Sequence, residues 1–152
     1  MQPSLRLNRR AFLQAALTAA AAAGAGVACS RNESPWRFFT IDEARVLASM
    51  VDQIIPPDQD AGAVWAGVVN YIDRQLCGPY QSLQMVYRQG LGAVDQASHS
   101  VHGRVFADLE SHQQIELLHR LEEGKAPTAV WKQLSSAEFF GYVVDHTMQG
   151  FY

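Results

Sequence analysis

From residue 38 onward the apolar positions recur at intervals of three and four, and no stretch shows the strand-turn-strand signature of a hairpin. Thr40-Ile41-Asp42-Glu43 has the form of a capping box, in which the Thr40 hydroxyl satisfies an orphan amide and Glu43 reaches back. Ile41, Ala44, Leu47, Met50, Val51, Ile54 and Ile55 then draw one stripe that Pro56-Pro57 ends, which predicts an amphipathic helix of about four turns. After the polar turn Asp58-Gln59-Asp60-Ala61-Gly62, the positions Val64, Val68, Ile72 and Leu76, with Trp65, Val69 and Tyr71 beside them, predict a second helix stopped by Gly78-Pro79. A third runs from about Tyr80 to Val101, with Leu83, Val86, Tyr87, Leu91 and Val94 inward, Gly90 and Gly92 weakening its middle, and Gly103 closing it. Phe106 and Leu109 lead to Ser111-His112-Gln113-Gln114, which reads as a second capping box. A short helix with Ile115, Leu118 and Leu121 inward follows and ends by Gly124 and Pro127. The last helix begins near Ser135-Ser136-Ala137-Glu138 and carries Phe139, Phe140, Val143, Val144, Thr147 and Met148. The expected fold class is all-α, a small bundle of about five helices after an N-terminal signal segment.

The first part of the chain is patterned differently. "LNRRAFLQ" places Arg9-Arg10 one residue ahead of Phe12-Leu13, and this resembles the twin-arginine export signal at every one of its core positions. Residues 11–28 are mostly alanine and glycine, too weakly apolar for the run of about 20 residues that a spanning helix wants. A positive flank, no acid before Glu33 and small residues ahead of Cys29 complete the layout of a removable signal. The expected organisation is therefore a signal peptide at 1–28, a linker at 29–37 and a helical domain at 38–152. Gly26-Val27-Ala28-Cys29 supports two readings, a lipoprotein box that lipidates Cys29 or an ordinary cut after Ala28. Cys77 is the one other cysteine, and of two readings, buried and inert or bridged to another chain, burial is the expected state.

Removing residues 1–28 takes away three arginines and no acid, so 9 basic and 15 acidic residues remain, a net of −6 against −3 for the whole chain. That balance, with no basic stripe, excludes nucleic acid as a partner and leaves a membrane reachable only through a complex or a lipid on Cys29. The catalytic inventory is thin. No dinucleotide fingerprint, phosphate loop, nucleophile elbow or haem-attachment motif occurs. His112 and His119 share a helix face but lack the third ligand that zinc needs, and His99 and His102 are read in the same way. Asp52, Asp58 and Asp60 lack the closing glutamate of a calcium loop. Asp145 and His146 are adjacent on a helix and point about 100° apart, so they do not address one substrate together.

Taken in order, "FFTIDEARVLASMVDQIIPPDQDAGAVWAGVVNYIDRQLCGPY", "YRQGL", "FADLESHQQIELLHRLEEG" and "FFGYVVDHTMQGFY" resemble the small subunit of membrane-bound gluconate 2-dehydrogenase, the subunit 3 or gamma family. The resemblance covers about residues 38–152 and rests on an ordered set that includes Asp52, Ile55-Pro56, Tyr71-Ile72-Asp73, Gly78-Pro79-Tyr80, Tyr87-Arg88 and His146-Thr147. It implies a non-catalytic subunit with no cofactor, metal or catalytic residue of its own. Its implied partners are a large flavoprotein of the glucose-methanol-choline type, which carries FAD, and a cytochrome subunit with haem c. It also implies a periplasmic location, the flavoprotein leaving the cell folded on this chain's twin-arginine leader. A free-standing periplasmic or lipid-anchored helical binding protein is the alternative. Members of the family continue beyond the segment that matches Phe151-Tyr152, so the family's C-terminal tail is expected to be missing here. The aromatic surplus points to a partner surface at Trp65, Tyr80, Phe151 and Tyr152, with Arg74 and Arg88 as its charged rim.

Overall fold

The computed structural model describes residues 34–152 with the exception of Thr128. Five α-helices make up the body: α1 (Ile41–Ile54), α2 (Val68–Leu76), α3 (Gln84–His102), α4 (Ser111–Glu122) and α5 (Ser136–Phe151). Short 3-10 turns at Gln81–Leu83, Phe106–Asp108 and Val130–Lys132 join them, and there is no strand among the described residues. The all-α expectation holds, and α5 is the central packing element, lying against α1, α2, α3 and α4. Phe39, Leu47, Met50, Ile72, Leu76, Tyr87, Phe106 and Phe139 are the large side chains shut into the single core.

The chain enters the body through an extended segment that one buried carboxylate fixes. Asp73, on α2 and 1% exposed, accepts hydrogen bonds from the amides of Arg37 (2.8 Å), Phe38 (3.0 Å) and Phe39 (3.1 Å). These contacts lower Phe39 into the core and deliver Thr40 as the cap of α1. The capping box forms as expected: the Glu43 amide donates to Thr40 Oγ1 at 3.2 Å and the Thr40 amide to Glu43 Oε2 at 2.8 Å. Arg88 of α3 closes the corner, holding Glu43 at 2.7 Å, the Phe38 carbonyl at 2.9 Å and the Phe38 ring face at 4.4 Å.

Several boundaries differ from the pattern, each for a local reason. The second helix begins at Val68 and not at Val64. Gly62 folds back against the end of α1 so closely that a Cβ there would stand 2.6 Å from the Pro57 nitrogen, and Gly67 caps α2 in the left-handed region at φ 81°. The third helix begins at Gln84 after a 3-10 turn and, as expected, ends on a left-handed glycine, Gly103 at φ 69°. The second capping box is displaced by one residue: the cap is Glu110, whose side chain accepts from the Gln113 amide while Gln113 reaches back. The inward face of α4 is Gln114, Leu117, Leu118 and Leu121, and Ile115, expected inward, is 42% exposed. Ser135 caps α5 as expected, and Ser136 donates to the Leu121 carbonyl at 3.0 Å, tying the start of α5 to the end of α4.

The two mid-helix glycines of α3 play opposite parts. Gly90 is buried under Phe139, whose ring a Cβ would overlap, whereas Gly92 is exposed with no atom within 4 Å of its Cβ position. Gly90→Ala is therefore expected to cost about 1–3 kcal/mol through overpacking. Gly92→Ala is expected to gain up to about 1 kcal/mol through helix propensity. Urea unfolding of the two variants beside the wild type checks both signs, and equal midpoints for the two would contradict this packing.

Candidate functional site

The polar group most deeply set among the aromatics is His146 of α5, 5% exposed. Its ring lies parallel to Tyr80 (centroids 4.4 Å apart, 5° between planes) and to Tyr87 (5.9 Å, 8°), with Tyr142 6.2 Å away. The Tyr87 hydroxyl is 2.8 Å from His146 Nδ1. Burial, and then the nearby Tyr80 and Asp145, push the Tyr87 phenol well up from its ordinary value, so it keeps its proton. The same hydroxyl stands 3.5 Å from the Tyr142 carbonyl, and the tautomer of His146 sets which partner donates at Nδ1. Burial lowers the His146 pKa from 6.5, and the neighbouring Asp145 only partly opposes this. The result is a neutral imidazole held in one orientation, a structural hydrogen bond with no nucleophile converging on it.

Around this centre, α2 and α5 run antiparallel. Tyr71 packs so tightly on Gly150 that a Cβ there would come within 2.8 Å of its ring, while Tyr80, beyond the end of α2, reaches back to His146. Gln149 Oε1 accepts from the Tyr80 hydroxyl at 2.7 Å and, more distantly, from that of Tyr71 at 3.4 Å. The start of α2 and the end of α5 therefore share one end of the bundle. That end carries Trp65, 83% exposed, in the turn before α2, and Tyr152, 90% exposed, after α5. Phe151 is half-buried with its ring edge-on to Tyr152 at 5.0 Å. Of the four residues expected at a partner surface, the structure brings Trp65, Phe151 and Tyr152 to this end, whereas Tyr80 is half-buried and spends one face on His146. Arg74 is exposed, and Arg88 is engaged in the Glu43 and Phe38 contacts.

The remaining sequence candidates are scattered. His112 and His119 are exposed, and His119 lies 3.4 Å from Glu122. His99 Nδ1 is 3.0 Å from the Asp95 carbonyl, and His102 faces Gln113 at 3.4 Å. Asp58 Oδ1 accepts from the Asp60 amide at 2.8 Å, which closes a turn. Among the described residues no group of three or more histidines, cysteines and carboxylates could hold a metal ion, and no helix is long and apolar enough to cross a membrane. Asp145 is exposed while His146 is buried, as their adjacency on a helix requires. Cys77 is exposed, a correction to its expected burial: as the C-cap of α2 it follows the last inward residue, Leu76, and turns to solvent. Arg9, Arg10, Phe12, Leu13 and Cys29 lie outside the described residues.

Sequence reasoning missed two residues that hold the architecture, Asp73 and His146 in its Tyr87 bond. Both stand on helices whose apolar stripes were legible, and a polar residue on such a stripe, as Asp73 is four after Val69 and three before Leu76, is the available signal.

The described residues define an all-helical domain whose buried polar side-chain groups, Trp131 Nε1 excepted, are bonded within its own packing and whose conspicuous chemistry is aromatic and on the surface. The chain belongs to the gluconate 2-dehydrogenase subunit 3 family, whose description matches residues 41–152. No curated protein and no solved structure matches it significantly.

Because the folded-state pKa of His146 lies below 6.5, the unfolded chain takes up the proton first as pH falls. The stability that neutral His146 contributes is complete above about pH 6.5 and is lost as pH drops below it. Urea midpoints at about pH 8 and about pH 5.5 should therefore fall further for the wild type than for His146→Gln. Equal losses would show that His146 is not the titrating group. Tyr87→Phe, which leaves Nδ1 without its hydrogen-bond partner, is expected to cost about 1–3 kcal/mol at neutral pH.

Proposed function

We propose that this chain is the non-catalytic small subunit of a flavin-dependent sugar or polyol dehydrogenase of the gluconate type, acting in the periplasm or at the membrane. Its work is to assist assembly of the flavoprotein subunit and to carry it through the twin-arginine pathway. The observation that carries the reading is the family membership over residues 41–152. The leader pattern at Arg9-Arg10 and Phe12-Leu13 supports the export role. The reaction itself then belongs to the large subunit of the glucose-methanol-choline type, with its FAD, and the electrons pass to a cytochrome c subunit with its haem. This chain contributes a rigid body with an aromatic end, and aromatic side chains are what interfaces concentrate.

Two experiments test this function. Replacing Arg9 and Arg10 together by lysine removes paired guanidinium groups that an ammonium does not replace where planar recognition matters. Dehydrogenase activity should then remain in the cytoplasm, and arrival of the large subunit in the periplasm of that double variant would defeat the carrier role. Trp65→Ala removes an indole that the fold barely uses. Circular dichroism should be unchanged while affinity for the large subunit falls by about tenfold or more. Unchanged affinity would remove Trp65 from the interface.

A further inference from the structure

Opposite the His146 side of α5, a groove of about 260 Å³ lies between α1, α4 and α5. Its floor is Ile54, Leu118, Phe140 and Val144, and Ile115 and Glu122 stand on its α4 edge. The volume is below the range of about 300–1,000 Å³ usual for small-molecule sites, and suits one or two inserted side chains. Ile115 is 42% exposed, so an aliphatic side chain is presented to solvent between the polar neighbours His112 and His119. The apolar line also extends along α5. Phe140, Val144 and Phe151 lie at intervals of four and seven residues, the same helical side, which joins the groove to the aromatic end of the bundle.

We propose that this groove receives an amphipathic helix of the dehydrogenase large subunit, bearing apolar anchors along one face and a lysine or arginine set against Glu122. The inference rests on the subunit function proposed above and adds to it a site and the chemistry of the docking segment. Helix-in-groove docking is the mode that an all-helical body offers, since its described residues hold no strand edge to extend. The cation follows from charge. Residues 34–152 carry 8 basic and 14 acidic side chains. Glu122 puts a carboxylate, 63% exposed, on the groove edge beside His119. The same charge argues against a second copy of this chain, because each copy would bring the same net negative charge and the same carboxylate to the contact.

The test is calorimetric titration of the purified large subunit with the whole chain as wild type, Ile115→Leu, Ile115→Glu and Glu122→Lys. Ile115 and Glu122 are both exposed, so thermal melts by circular dichroism should coincide. Ile115→Glu is expected to weaken binding by about tenfold or more, and Ile115→Leu to leave it within about twofold. Glu122→Lys should weaken binding and reduce its dependence on salt, since the lost attraction is between partly exposed charges. If the wild type binds and both charged variants bind as well as it does, the groove is not the docking site, and the subunit role stands without it. If the wild type itself does not bind the large subunit, the subunit role fails and this inference fails with it. Concentration-dependent self-association that Ile115→Glu abolishes would assign the groove to a second copy and overturn the proposal.

Discussion

A carboxylate taken out of water must be met by donors, and that requirement at Asp73 organises the entrance to the fold. Three consecutive amides supply it, from Arg37, Phe38 and Phe39. Once they do, the segment has one path: Phe39 is committed to the core, Thr40 arrives where α1 needs its cap, and Phe38 lies under the Arg88 guanidinium. Three helices are thereby set relative to one another from a single point, since Asp73 stands on α2, the capped segment opens α1, and Arg88 belongs to α3. Removing the carboxylate would leave three amides without partners at a site where water has little access, so the interaction is worth more as a geometrical constraint than as a sum of hydrogen bonds.

The other two helices are joined to this frame by close approach and by polar ties. Phe139 lies over Gly90, Tyr71 over Gly150, and Ser136 bonds the end of α4. Gln114, buried on α4, donates to the Phe106 carbonyl at 3.0 Å and accepts from Gln53 of α1 at 2.8 Å. With these polar groups bonded inside the body, the groups that meet solvent include the indole of Trp65, the Tyr152 ring and the apolar groove. For the subunit role proposed above, that division means that the core need not rearrange when the surface is covered.

The helices were legible in the sequence because their stripes and caps are local. Thr40 with Glu43, Gly103 and Ser135 mark their ends by chemistry that acts within about one turn. Where distant contacts decide, the pattern misled. Val64 continues the spacing of Val68 and Ile72, yet Gly62 and Gly67 are needed to turn the chain back over the end of α1, so Val64 and Trp65 fall outside the helix. At α4 the cap is Glu110 rather than Ser111, and the side that faces the core holds Gln114 and Leu117 while Ile115 stands at the surface. Cys77 reads as apolar by type, but the end of α2 faces solvent. The His146 and Tyr87 bond spans 59 positions of sequence, and no local rule connects them. Trp65 and Tyr152 are exposed, while the stacking of Tyr80 on His146 comes from a contact between α5 and the turn after α2 that periodicity does not encode.

The exposure of Trp65 also has an optical consequence. Of the three tryptophans, Trp36 and Trp131 are half-buried against the core, Trp131 with its ring 5.9 Å from Phe139, whereas the indole of Trp65 stands almost wholly in water. The fluorescence of the folded protein is thus a mixture of one solvent-relaxed emitter and two in less polar surroundings. Unfolding acts mainly on the two, and covering the aromatic end acts mainly on the one, so emission wavelength separates the integrity of this small helical body from its occupancy in a single measurement.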